Sequence, residues 1–518
     1  MDKKPNNRRS NFKDRSKKPY RKDKPADKTE GKPEDKKGTE VPDLRNDWRY
    51  YAISEQLAKA VGNLPYNSLP GMTVNLNPQG SVAGMTWSDG DIGYIPSVMQ
   101  VQYTPSIGYS GDDQSAINIA AKRLYTFVRH ANSGAKVYEA PDLMMYIIAM
   151  ENCYRLWWEA RRAYQICFEY NAQNRNLPIV LGAAANLGVT DSIADLAQAN
   201  FHLNLLRNKI NSFWVPDIFN SFKRAAVIAN GVFMDSDSYR GQFYVYTMTK
   251  YYLFSGKTSE KGSELIATDA SGAYTLADKL ALVETAINAL IADDDINTMS
   301  GDMMKAFKDT ERFSLPEVPS IDKLQIAFDE DILAQIENSC TISLMDNETM
   351  NITQDASSII FKPTARVSTT LGIFEQLMWG SNKIFNSHKE NPDYTDNLEW
   401  SRDICGVLAD GTPYFGAEII EDYNMWCFGA DGTVAGTNIN SYLAENTTDS
   451  GAKGCKVSQF DWHPIIYYCR RDGNNFEGVG FYADLKYYAV LSGDTVSNLH
   501  KCAIQALYYA TRDRKSVV

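Results

Sequence analysis

Apolar residues first recur at helical spacing at Ile117, Ala120, Leu124, Phe127 and Val128, directly after Asp112, Asp113 and Ser115, which suit a helix start. A second stretch, "APDLMMYIIAMENCYRLWWEARRAYQICFEYN", predicts a helix from about Asp142 to Tyr170. Pro141 fits a first helical turn, and Asp142 complements the helix dipole there. This helix is apolar on nearly every side for four turns, so it is expected to be buried among other helices. A third is expected from Thr190–Asp191 to about Phe213, and a fourth places Leu276, Leu280, Val283, Ile287 and Leu290 on one face.

Before these helices, residues 41–111 are rich in Pro, Gly and Asn with short apolar bursts, which predicts an extended arm of strands or irregular structure. Beyond about Ser300 the pattern changes again. Asp410-Gly411, Asp431-Gly432 and Asp472-Gly473 are turn dipeptides set among Tyr-, Val- and Ile-rich runs, which predicts hairpins. A last helix is expected from about Asp494 to Arg512, with Val496, Leu499, Ala503, Leu507 and Ala510 on one face. No internal repeat is present. No apolar run reaches the roughly 18 residues that span a bilayer, so no membrane anchor is expected.

Charge divides the chain in two. Residues 1–40 carry 15 Lys and Arg against 8 Asp and Glu, a net +7, so the remaining residues carry 38 bases and 56 acids, a net −18. The first segment has Phe12 and Tyr20 but no Leu, Ile, Val or Trp, and Pro5, Pro19, Pro25 and Pro33 interrupt it. It buries too little apolar surface to fold alone, and a disordered tail is expected. A free tail of that length spans roughly 35 Å. Its bases are densest in Lys3, Lys4, Arg8, Arg9, Lys13, Arg15, Lys17, Lys18, Arg21, Lys22 and Lys24. A cationic arm on an acidic body suits sequence-blind contact with nucleic-acid phosphates, and these residues are the candidate RNA-binding set. A localisation signal, or an idle solvated run, is the plainer alternative.

Catalytic signatures are absent from the sequence. The five histidines, His130, His202, His388, His463 and His500, form no local metal motif. No GxxxxGK[ST], GxGxxG or GxSxG occurs. Asp293, Asp294 and Asp295 are an acidic run without the spacing of an EF-hand. Asp142 and Glu151 fall on opposite faces of their helix, so their plain reading is capping and ion pairing with Arg155, Arg161 or Arg162. The eight cysteines form no CxxC pair and are expected to be reduced and mostly buried. No cofactor or metal is expected.

Three stretches carry a family resemblance: "YTPSIGYSGDDQSAINIAAKRLYTFVRHANSG", "YEAPDLMMYIIAMENCYRLWWEARRAYQI" and "YNAQNRNLP", preceded by "GNLPYNSLPGMTV". In this order they resemble picobirnavirus capsid proteins, best from about Asp47 to Gly188. The resemblance implies a homodimer, about 60 of which build a small icosahedral shell around double-stranded RNA. It also implies a largely helical shell domain, a projecting domain, and a basic N-terminal segment on the inside touching RNA. Some members are reported to cleave themselves near the N-terminus, but no residue of this chain is assigned to that step.

The expected fold class is α+β: a disordered basic tail (1–45), an extended arm with a predominantly α-helical shell domain (46–300), a β-rich projecting domain (301–490) and a C-terminal helix returning to the shell (491–518). The expected function is a self-assembling coat protein of the virion, put together in the host cytoplasm, with itself and viral RNA as partners. Two rivals fit the residues alone: a non-viral RNA-binding protein with a basic tail, and an enzyme whose site is assembled from distant residues.

Overall fold

In the computed structural model, residues 98–364 and 393–428 are described, apart from 133, 135–137, 170–176, 189–192, 236–242, 257–261, 271, 273, 309, 340–346, 356 and 408–412. Outside them only the backbone of seven short strands is described, within 73–94 and 434–482. The candidate RNA-binding residues and the expected C-terminal helix lie outside the described residues.

The helices are α1 (Ala116–Ala131), α2 (Ala140–Ile166), α3 (Leu177–Ala184), α4 (Ile193–Ile210), α5 (Asn220–Asn230), α6 (Leu276–Ile291), α7 (Asp294–Ala306), α8 (Glu330–Asn338) and α9 (Tyr394–Asp403). The strands are β1 (Thr73–Asn75), β2 (Ser81–Val82), β3 (Met85–Thr86), β4 (Ile92–Tyr94), β5 (Val98–Pro105), β6 (Val232–Met234), β7 (Phe243–Met248), β8 (Lys250–Ser255), β9 (Glu264–Asp269), β10 (Ile326–Ala327), β11 (Thr353–Gln354), β12 (Ile359–Ile360), β13 (Gly406–Val407), β14 (Pro413–Tyr414), β15 (Glu418–Phe428), β16 (Val434–Asn438), β17 (Ile465–Asp472) and β18 (Asn475–Tyr482).

α2 is the centre of the body. Of its 27 residues, 23 are buried. Pro141 stands in its first turn, and Asp142 and Glu139 form a reciprocal capping box that satisfies two otherwise orphaned N–H groups. Around α2 pack α1, α4, α5, α6 and β8. α6 buries Leu276, Leu280, Val283, Ile287 and Leu290, the face its spacing predicts, and Thr275 with Asp278 caps it.

A six-stranded sheet, in the order β10-β6-β7-β5-β15-β16, lies beside this bundle. β5 runs parallel to β7 and antiparallel to β15. Its alternation divides two cores. Met99, Val101 and Tyr103, with Tyr244, Tyr246 and Met248 of β7, face the large core around α2. Val98, with Phe243 and Val245, faces a smaller core with Leu177, Val180 and Leu181 of α3. Both faces are covered, which is why β5 and β7 are buried at nearly every position. Buried Gln100 is satisfied on the α3 side: it donates to Ala184 O (2.8 Å) and accepts from Asn424 Nδ2 and Trp426 Nε1.

The three Asp-Gly dipeptides are each flanked by strands that pair antiparallel: β13 with β14, β15 with β16, and β17 with β18. Two expectations need correction. On α1 the buried residues are Asn118, Ala121, Leu124 and Val128, whereas Phe127 is 49% exposed. The face is rotated because Asn118 is drawn inward, where it donates to Ile359 O and Ser110 Oγ and accepts from Ile359 N. The boundary near residue 300 does not separate two cores either. Tyr164 OH donates to Ser320 O, Asn200 donates to Val318 O, and β15 lies inside the same sheet as β5. Strand content is legible from a local pattern, but the partner strand is not.

Ile148, 8% exposed, sits on α2 among these helices. Ile148→Asp would bury an unpaired carboxylate and is expected to cost about 3–5 kcal/mol. Chemical denaturation of the purified chain measures it; a loss below about 1 kcal/mol would show that this face is not packed as described.

Candidate functional site

The side of α2 that meets the sheet carries charge. Glu151, Arg155, Glu159 and Arg162 alternate in sign at helical spacing, so they form one stripe. Among them Arg155 and Arg162 are 2% and 1% exposed. Guanidinium groups cannot lose their protons, so each must find countercharge inside the fold.

Arg155 takes its first partner from its own helix, Glu151, at 3.0 Å. The second comes from far along the chain: Glu418, at the start of β15, lies 3.7 Å away and is fully buried. Arg224 of α5 clasps the same carboxylate with Nη2 at 2.9 Å and Nε at 3.2 Å. Its Nη1 donates to Asp403 at the end of α9, 3.1 Å away. Gln335 of α8 completes the group. Its amide donates to Glu418 and to Asp403 O, and its carbonyl oxygen accepts from Tyr246 OH of β7. One cluster thus ties α2, α5, α8, α9, β7 and β15 together.

Farther along the stripe, Glu159 accepts from Met248 N at 3.0 Å and faces Arg162 at 3.6 Å and Lys279 of α6 at 4.0 Å. Tyr103 stands between the two groups of charges, and its OH, Arg155 Nη1 and Arg162 Nε have no hydrogen-bond partner among the described residues.

Burial alone would raise the Glu418 carboxyl, but Arg224 and Arg155 together outweigh it and hold it below its ordinary value. Asp403 ends on the other side. Burial lifts it to about 6, with Glu418 adding to the rise and Arg224 opposing it. Burial also pulls Lys279 and Arg162 down, against the pull of Glu159. Every acid in this cluster is engaged by a cation or a capped amide, so it acts as a structural tie. The Cys153 thiol is pushed up to about 12 by burial, which removes it as a nucleophile.

The other sequence candidates fall into plain roles. Asp293 caps α7, accepting from Ile296 N at 3.0 Å, and Asp294 and Asp295 sit in its first turn. Asp142 is the capping-box residue of α2, Arg155 pairs with Glu151, and Arg161 pairs with Asp322 at 2.7 Å. His202 faces Glu284 at 3.4 Å. Among the described residues no group of His, Cys, Asp and Glu could hold a metal ion, and no helix is long and apolar enough to cross a membrane. Sequence reasoning missed Arg224, Gln335, Asp403 and Glu418, which nothing local connects. The alternating stripe on α2 was the available signal: four charges on one side of an otherwise apolar helix demand partners from elsewhere.

A family model described as "Picobirnavirus, Capsid protein" matches residues 50–388. The capsid protein precursor of human picobirnavirus (strain Human/Thailand/Hy005102/-) is 29% identical over 508 residues, 90% of this chain and 91% of the relative. Among solved structures, the X-ray crystallographic structure of the picobirnavirus capsid is similar at a TM-score of 0.62 and 29% identity, covering 89% of this chain and 98% of that one.

Two variants separate the carboxylates of the cluster. Glu418→Ala leaves Arg224 with Asp403 alone and Arg155 with Glu151 alone, and is expected to cost about 3–5 kcal/mol at neutral pH. Asp403→Asn has the opposite sense. The folded state holds the Asp403 proton more tightly than the unfolded chain, so this group favours folding at low pH and that contribution is lost as pH rises through about 6. Melting temperatures from pH 4.5 to 7.5 should therefore show the Asn variant gaining on the wild type as pH rises, by on the order of 1 kcal/mol. A variant that loses ground over that range would contradict the assignment.

Proposed function

The chain belongs to the picobirnavirus capsid protein family, and we propose that it dimerises and that about 60 dimers close an icosahedral shell around double-stranded RNA. As a capsid protein it is a structural component of the virion, and its named relatives are capsid proteins rather than enzymes. The basic N-terminal segment lies inside and holds RNA through Lys3, Lys4, Arg8, Arg9, Lys13, Arg15, Lys17, Lys18, Arg21, Lys22 and Lys24. The outward part of the subunit is the hairpin-rich region beyond Phe428 rather than everything after residue 300.

One observation carries the RNA reading: residues 1–40 hold +7 while the rest of the chain holds −18. An acidic body repels RNA, so contact concentrates on the one segment that attracts it. The magnitudes make the segment a tether and not a neutraliser. Coding for 518 residues as a duplex takes roughly 3,100 phosphates, and about 120 tails at +7 offset about a quarter of them. Small cations must cover the remainder.

Deleting residues 1–40 is expected to leave shells able to form and to lower their RNA content. The ratio of absorbance at 260 nm to that at 280 nm, measured on purified particles of both forms, reports the difference. Equal RNA per particle would show that the segment does not recruit the genome.

A further inference from the structure

The outer face of α4 has no charge on it. Ala197, Gln198, Phe201, Leu205 and Asn208 are its exposed residues past the first turn, and Phe201 and Leu205 are 71% and 41% exposed. α6 lies beside it and presents Ala281 and Thr285 to solvent. The charges in the seam between the helices cancel: Lys209 of α4 bonds Glu284 of α6 at 2.7 Å, and His202 faces the same carboxylate. The remaining acids of the two helices, Asp195 and Asp278, are confined to the first turns.

We propose that this two-helix face, centred on Phe201 and Leu205, is a contact surface for a second copy of the chain. The proposal rests on the self-assembly reading and names the surface that serves it. Charge selects the occupant. The acid beside the face, Asp278, is already engaged with Thr275, and Lys209 is paired with Glu284, so neither a cationic tail nor RNA meets a cluster of free charge here. A second copy carries an acidic body of net −18, so two copies repel except where both surfaces lack charge. Exposed aromatic and aliphatic side chains in a charge-depleted patch are the composition of a contact core. A face of this kind is self-complementary in charge, as a two-fold contact requires.

Phe201→Asp adds charge to the centre of the face. Because the side chain is exposed, the variant is expected to melt at the wild-type temperature. In sedimentation velocity it should remain a small species under conditions in which the wild type forms particles. Normal particles from the folded variant would overturn the surface assignment and leave the assembly reading intact. A wild-type chain that never forms particles would sink the assembly reading, and this surface with it. Phe201→Cys provides a measurement independent of any folding defect in the Asp variant. Maleimide should label that thiol at least about tenfold more slowly in particles than in dissociated subunits. Equal rates would overturn the proposal.

Discussion

A helix enclosed on all sides cannot keep charged residues unless the rest of the chain delivers countercharge to it. α2 sets that condition, and much of the body answers it. Removing an ion from water costs several kcal/mol, so Arg155 and Arg162 could not be buried alone. Their own helix supplies Glu151 and Glu159, one turn from each. The remaining demand is met by Glu418, which also serves Arg224. Backbone pairing and charge then specify the same arrangement. Glu418 pairs with Pro105 at the end of β5, and that register places its carboxylate beside α2. A slip by one residue would turn Glu418 to the other face of the sheet and leave buried Arg155 and half-buried Arg224 short of a partner.

The parts of the fold legible in the sequence are those fixed within a few turns of chain. The capping box and apolar run of α2, the single buried face of α6 and the antiparallel pairs at the three Asp-Gly dipeptides are of this kind. α3, α5, α7, α8 and α9 were not anticipated; they are short, and their form depends on the surfaces they cover. α1 shows the same limit within one helix. Its apolar residues spread over more than one face, and the distant Ile359 backbone decides that Asn118 turns inward and Phe127 outward. The charge cluster was half legible: the stripe is local, but its partners are separated from it by most of the chain. The tail's net +7 is read from composition alone, and the phosphate contact proposed from it depends on charge density and not on a folded geometry.

At the scale of the whole chain, charge is sorted into three kinds of surface. Positive charge is concentrated in the first 40 residues, negative charge dominates the rest, and the outer face of α4 has neither. Each kind addresses a different encounter. A cationic segment draws in polyanions at long range. An acidic body opposes indiscriminate association, both with RNA and with its own copies. Neutral apolar faces are where that repulsion is weakest, so contacts between copies are restricted to defined places. On the proposed reading, this sorting would separate holding the genome from holding the neighbours, since a variant that alters one type of surface leaves the others in place.

The cost of the arrangement is paid in chain topology. β5 finds β7 about 145 residues later and β15 about 320 residues later, so the sheet is built from long-range pairs that are slow to form. Arg155, Arg162, Glu159 and Lys279 are all present well before Glu418 joins the chain. Until β15 docks, Arg224 and Arg155 must keep water against them, and the core beside β5 cannot dry. Closure of the sheet and completion of the Arg155–Glu418–Arg224 cluster therefore go together. The outer face of α4 stands apart from both, because α4 and α6 pack on α2 without β15. A face poised for self-contact before the core has closed would invite premature association, and a modest patch of two exposed apolar side chains limits that hazard. Contacts of this size are weak singly, and become strong only when many closed subunits engage at once.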